Sequence, residues 1–335
     1  MKRIGKRTIA FEYAPAILAS AGIVGPKESE GPLSKDFDRC FSDSMIGQDS
    51  WEKAESYLQK RAVELALIKA RKKSEDIDVI FAGDLLNQCI ASSFGIRDMS
   101  IPFVGVYGAC STMALSLINA AMYAENVPDS ISVAVTSSHF CSAERQYRFP
   151  LEYGGVRPPS AQWTVTGAGA AVVSKVDSHP KITSFTIGKI VDMGITDANN
   201  MGAAMAPAAA DTVAAFLTDT GTRPQDYDLI VTGDLGMVGS KLLLKLLSEQ
   251  GIDLKNHNDC GLMIFDCERQ DVHAGGSGCG CSASVLCSYI LQEMTLGELK
   301  SVLFCATGAL MSPTSSMQGE SIPAIAHLVH LSSEK

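Results

Sequence analysis

Short apolar runs rich in β-branched residues alternate along this chain with longer stretches of helical periodicity. The runs at 79–85, 131–137, 167–174, 229–235, 301–306 and 322–331 are apolar at nearly every position rather than at every second one. Strands of that kind are covered on both faces, as in sheets sandwiched by helices. The stretches 52–73 and 203–219, and two more that run to about Ala124 and Met294, are expected to supply those helices.

The pattern occurs twice. Asp78-Val79-Ile80-Phe81-Ala82-Gly83-Asp84-Leu85 is matched by Asp228-Leu229-Ile230-Val231-Thr232-Gly233-Asp234-Leu235, each after an Ala-rich helical stretch. Gly108-Ala109-Cys110-Ser111 and Gly280-Cys281-Ser282-Ala283 then open equivalent buried helices. A duplication of this size predicts two α/β halves packed pseudo-symmetrically. Asp177, Ser178, His179 and Pro180 interrupt the pattern, so the halves are expected at 1–178 and 179–335. The stretches 25–50 and 138–163 are long excursions from the repeat, and such excursions often carry function.

Composition narrows the function classes. With 46% apolar residues and 29 glycines in 335 residues, the chain can bury a large core. Charged residues make up 19% and the net charge is −9, which excludes the clustered cationic surface that nucleic acid requires. A surface so poor in charge favours an oligomer. Ten cysteines lie scattered through core-like segments and are expected to be reduced. Lys2, Arg3, Lys6 and Arg7 are followed by no apolar stretch resembling a signal sequence, so synthesis in the cytosol and a solvated terminus are expected.

Cys110 carries the sharpest chemical signal. A cysteine between a strand end and a helix N-terminus meets free backbone amides and the positive end of the helix dipole, which favour a thiolate or a bound anion. A nucleophile and a buried structural cysteine both fit that position.

The Gly-Ala-Cys-Ser elbow, the run Thr166-Gly167-Ala168-Gly169-Ala170-Ala171-Val172-Val173 and the duplication together resemble the thiolase superfamily, in particular ketoacyl-carrier-protein synthase III. Lys35-Asp36-Phe37-Asp38, Trp51-Glu52-Lys53-Ala54-Glu55, Ser137-Ser138-His139-Phe140 and Arg157-Pro158-Pro159-Ser160-Ala161-Gln162-Trp163 are similar to a narrower group, the stage V sporulation protein AD family. The first resemblance implies five-stranded, mainly parallel sheets in αβαβα layers, and a homodimer paired edge to edge through the strand at 131–137 with the elbow region. It also implies a cysteine that holds an acyl group while His and Asn, or two His, polarise the carbonyl. The second implies binding of dipicolinic acid, alone or as its calcium chelate, together with membrane subunits of the stage V sporulation A assembly. It places the protein peripherally at the spore inner membrane.

The synthase partners are missing from this sequence. Gly233 and Asp234 follow the strand that the first histidine should follow, and Gly275-Gly276-Ser277-Gly278-Cys279-Gly280-Cys281 replaces the second. Loss of one oxyanion donor slows an enzyme roughly 10²- to 10³-fold, so condensation should be negligible and no catalytic set is assigned. An acyltransferase that pairs Cys110 with an atypical base, His273, is the alternative. Cys305 stands near the position of a second thiolase cysteine and is expected to be structural. The expected ligand site comprises Cys110, Ser111, Ser137, Ser138, His139, Arg145, Trp163, Gly276, Ser277 and Gly278, without metal or cofactor. Ser142, Tyr147, Arg148 and Arg157 add hydroxyls, cations and a ring from the same excursion.

Overall fold

A computed structural model of the chain describes residues 1–147 and 156–334, so Arg148 lies outside the described residues. The first half contains β1 (Ala16–Val24), α1 (Trp51–Ala70), β2 (Val79–Gly83), β3 (Phe103–Gly105), α2 (Thr112–Asn126), β4 (Ile131–Ser138), α3 (Phe140–Tyr147) and β5 (Gly167–Ser174). The second contains β6 (Lys181–Thr186), α4 (Met201–Thr220), β7 (Leu229–Thr232), α5 (Gly236–Ser248), β8 (His257–Asp259), α6 (Cys279–Val285), β9 (Ser301–Ala309) and β10 (Ala324–Ser332).

Strand order in the first half is β3-β2-β4-β5-β1, and in the second β8-β7-β9-β10-β6, the same arrangement twice. In each half one strand, β5 or β10, runs against the other four. The two five-stranded units are also hydrogen-bonded to each other, through Ala16 and Lys181.

Side-chain alternation along these strands produces the layers. Val79 and Phe81 of β2 join Val231, Val302 and Phe304 in a central core with α2 and the α6 region. Ile80 and Ala82 face outward onto α1, whereas Ile230 and Leu303 face α4 and α5. Successive strand residues point to opposite faces, so a strand between two helical layers must be apolar throughout. Packing is close where α6 lies on β5, since a Cβ on Gly169 would come within 2.2 Å of the Ala283 carbonyl oxygen. Helix α4 is long and apolar enough to cross a membrane by length and composition, but 61% of its apolar window is buried inside this fold.

Two expectations need correction. Strand β4 cannot be an edge, because it pairs with β2 on one side and β5 on the other. The edge is β3, with Phe103 and Val104 40% and 42% exposed. Nor is the N-terminus a solvated tail. Lys2–Ile4 and Thr8–Ala10 form a hairpin added to β6. The Asp219 carboxylate accepts the amides of Lys6, Arg7 and Thr8 at 2.7–2.8 Å, and Arg7 pairs with Asp211.

Candidate functional site

The chain leaves β3 and enters α2 through a tight elbow. Ala109 adopts φ +50°, a left-handed conformation unusual for a residue with a Cβ, and this turn holds Cys110 at a cavity wall. The elbow is closed by its own hydroxyls. Ser111 Oγ donates to Gly108 O at 2.6 Å, and Thr112 Oγ1 accepts from Gly108 N at 3.1 Å. Ser111 therefore supports the turn and does not face the cavity.

The cavity has a volume of about 40 Å³ open to water and is lined by both halves. Leu85, Ala109, Ala143, Tyr147, Met201, Ala309 and Met311 form its apolar walls, while Cys110, Glu144, Thr164 and Ser277 bring polar atoms. The expected thiol and part of the glycine turn are thus together, with two methionines and a carboxylate that the sequence had not singled out.

The neighbour of Cys110 is Asp234. Its fully buried carboxylate accepts Gly278 N at 2.8 Å and Ser277 Oγ at 3.2 Å on Oδ2, and Thr307 Oγ1 at 2.8 Å on Oδ1. The Cys110 thiol lies near enough to feel its charge. Burial first, and then the Asp234 charge, push the Cys110 thiol well above its ordinary range. A synthase needs the opposite environment, a base or cation that draws the proton off. Cys279, at the other partner position, is buried and donates to Ser137 O at 3.0 Å.

The duplicated Gly-Asp-Leu motif places an acid beneath each half. Asp84 accepts Leu86 N and Ser92 N, both at 2.8 Å, and Glu55 accepts Ser142 Oγ at 2.7 Å and Ser137 Oγ at 3.2 Å. Burial raises both carboxyls, with the Asp84 charge adding to the effect on Glu55. The equality of the two motifs is the sequence signal for Asp84 and Asp234, whereas Glu55 comes from the separate helix α1.

Several expected site residues are directed elsewhere. His139 is fully buried, its Nδ1 accepting Cys141 N at 3.2 Å. Nε2 is left to donate to Ser44 O at 2.7 Å, and burial lowers its affinity for a second proton. Ser138 Oγ donates to Val165 O at 2.7 Å and accepts Gly280 N. Arg145 pairs with Glu52 over the Trp51 ring, on the surface. Trp163 stacks on Phe140 at 3.8 Å, with Lys27 and Arg157 over its ring. Gly276 pairs with Trp163 in a two-stranded tie that holds the excursion against the glycine turn. His273, the alternative base, lies 3.6 Å from Asp271 and is not among the residues lining the cavity. Cys305 is buried in the β9 core, its thiol pushed up to about 12 by burial.

Comparison with known proteins gives consistent relatives. A family model described as stage V sporulation protein AD matches residues 5–332. Stage V sporulation protein AD of Bacillus subtilis strain 168 is 46% identical over 329 residues, covering 98% of this chain and 97% of that protein. Among solved structures, 3-oxoacyl-[acyl-carrier-protein] synthase III from Aquifex aeolicus is 13% identical, with a TM-score of 0.56 over 95% of this chain and 99% of that one. OleA from Xanthomonas campestris is 16% identical, with a TM-score of 0.62 over 96% and 98%. At these identities the structural likeness concerns the fold, which is thiolase-like.

Proposed function

The chain belongs to the stage V sporulation protein AD family, which carries a role in sporulation, and from that membership we propose that it binds dipicolinic acid without catalysing acyl transfer. The neighbourhood of Cys110 and Asp234 carries the non-catalytic part of the reading. A buried thiol beside a carboxylate would form its thiolate against a neighbouring negative charge, and among the described residues no imidazole lines the cavity. The mixed wall supports a flat ligand: alanine, leucine and methionine surfaces suit an aromatic ring, and Ser277 and Thr164 suit its polar rim. His139 and Arg145 are left out of this site, since their donors are engaged elsewhere.

As a homodimer peripheral to the spore inner membrane, the protein would pass dipicolinate, alone or with calcium, to membrane subunits of the stage V sporulation A assembly. That part rests on the family. Titration calorimetry of dipicolinate, with and without calcium, tests the binding. Cys110→Trp should abolish it by filling the cavity, whereas Cys110→Ala should weaken it modestly. Unchanged affinity in Cys110→Trp would place the ligand elsewhere. Acyl-CoA turnover by the wild type above the Cys110→Ala background, or acyl-Cys110 in an intact mass spectrum, would overturn the non-catalytic reading.

A further inference from the structure

Every donor around the Asp234 side chain is turned toward it. The main-chain Gly278 N–H and the hydroxyls of Ser277 and Thr307 all donate to one carboxylate. Ser277 lines the cavity, yet its proton points away from it, so it presents lone pairs to a ligand. The Tyr147 hydroxyl is likewise spent on Leu85 O. Among the described lining residues there is no Lys, Arg or His. Thr164 is the lining hydroxyl left for an anion. A dicarboxylate losing water here would meet mostly acceptors, a costly arrangement.

We propose that Asp234 couples ligand binding to the uptake of one proton and thereby acts as the positioning residue that turns the cavity wall from acceptor to donor. The inference rests on the dipicolinate reading of the cleft. The proton comes from solvent and settles on Asp234 Oδ2. Asp234 then donates to Ser277 Oγ, and the Ser277 hydroxyl rotates to donate to a ligand carboxylate as a charge-assisted hydrogen bond. No other bond forms or breaks.

The surroundings of Asp234 favour this exchange. The Cys260, Cys279 and Cys281 thiols are neutral neighbours, raised well above their ordinary range by burial. Asp259 is the charged one. It accepts its own donors, Leu235 N, Gly236 N, Gly261 N and Thr232 Oγ1, so it shares none of the hydrogen bonds of Asp234 and acts on it through charge. With Asp259 behind it and a dianion in front, an ionised Asp234 would face negative charge on two sides.

Calorimetry with metal-free pyridine-2,6-dicarboxylate, repeated at pH 7 in buffers of different ionisation enthalpy, measures the proton count. About one proton should be taken up per ligand bound, with affinity falling about tenfold per pH unit through the titration of Asp234. Asp234→Asn should bind with proton uptake near zero and an affinity flat with pH. Binding without proton uptake in the wild type, or uptake that persists in Asp234→Asn, overturns the proposal while leaving the cleft as the site. No binding at all overturns the cleft reading itself. Should Asp234→Asn fail to fold, infrared difference spectra of the wild type decide: a protonated carboxyl band must appear with the ligand, and its absence refutes the coupling.

Discussion

Replacing Glu28 by Gln should make the protein more stable at pH 8 and leave it nearly unchanged at pH 5. Glu28 is fully buried at the start of the first excursion, where Oε1 accepts Thr166 N at 2.9 Å and Oε2 has no hydrogen-bond partner among the described residues. Burial raises its pKa from 4.5 to about 7, against the lowering effect of the Thr166 amide. A carboxyl raised in the folded state contributes fully below its unfolded pKa, and the contribution is lost as pH rises through the folded value. The window is therefore about pH 4.5 to 7. At about 1.4 kcal/mol per pH unit, this difference corresponds to about 3 kcal/mol of destabilisation at pH 8. Glutamine keeps the acceptor for Thr166 N and cannot ionise. Its amide lacks a partner as the protonated acid does, so little changes at pH 5. Chemical denaturation of both proteins from pH 5 to 8 gives the two curves. They should converge at acid pH and diverge by about 2–3 kcal/mol at pH 8. Parallel curves across that range would refute the assignment of a buried, ionising Glu28.

Alkylation should follow burial: exposed Cys40 reacts with iodoacetamide first, while Cys110 and Cys279 stay unmodified in the native state, as peptide mass spectrometry would show; early labelling of Cys110 contradicts its raised thiol. His139→Ala should lower stability by about 1–3 kcal/mol through loss of the Ser44 bond, with dipicolinate affinity unchanged, and a weakened affinity without a stability change would return His139 to the site. A homodimer should form through the exposed β3 edge, so Val104→Lys should sediment as a monomer at micromolar concentration where the wild type is a dimer; a monomeric wild type counts against it.

The elements that the sequence determined are those whose signal is local. Strands such as Val79–Gly83 and Leu229–Thr232 are apolar on both faces, and this required helical layers on both sides. The repeated Gly-Asp-Leu ends and the two Gly-rich helix starts implied equivalent halves, and the Gly-Ala-Cys elbow located Cys110. The absence of His at Asp234 and Cys279 was equally plain, because an absence needs no geometry. Tertiary structure decided where the side chains of the 138–163 excursion face. His139 answers to Ser44, Arg145 to Glu52 and Trp163 to Phe140 and the Gly276 turn, so proximity to Cys110 in a linear motif did not bring them into one cavity. The edge of the sheet was hidden for the same reason: β4 is interior only because β5 returns beside it. Asp234 could be named from its position, but its meeting with the Cys110 thiol arises when both halves close on the central helices. Contacts of that kind come from the packing of layers, which no periodicity along a single segment records.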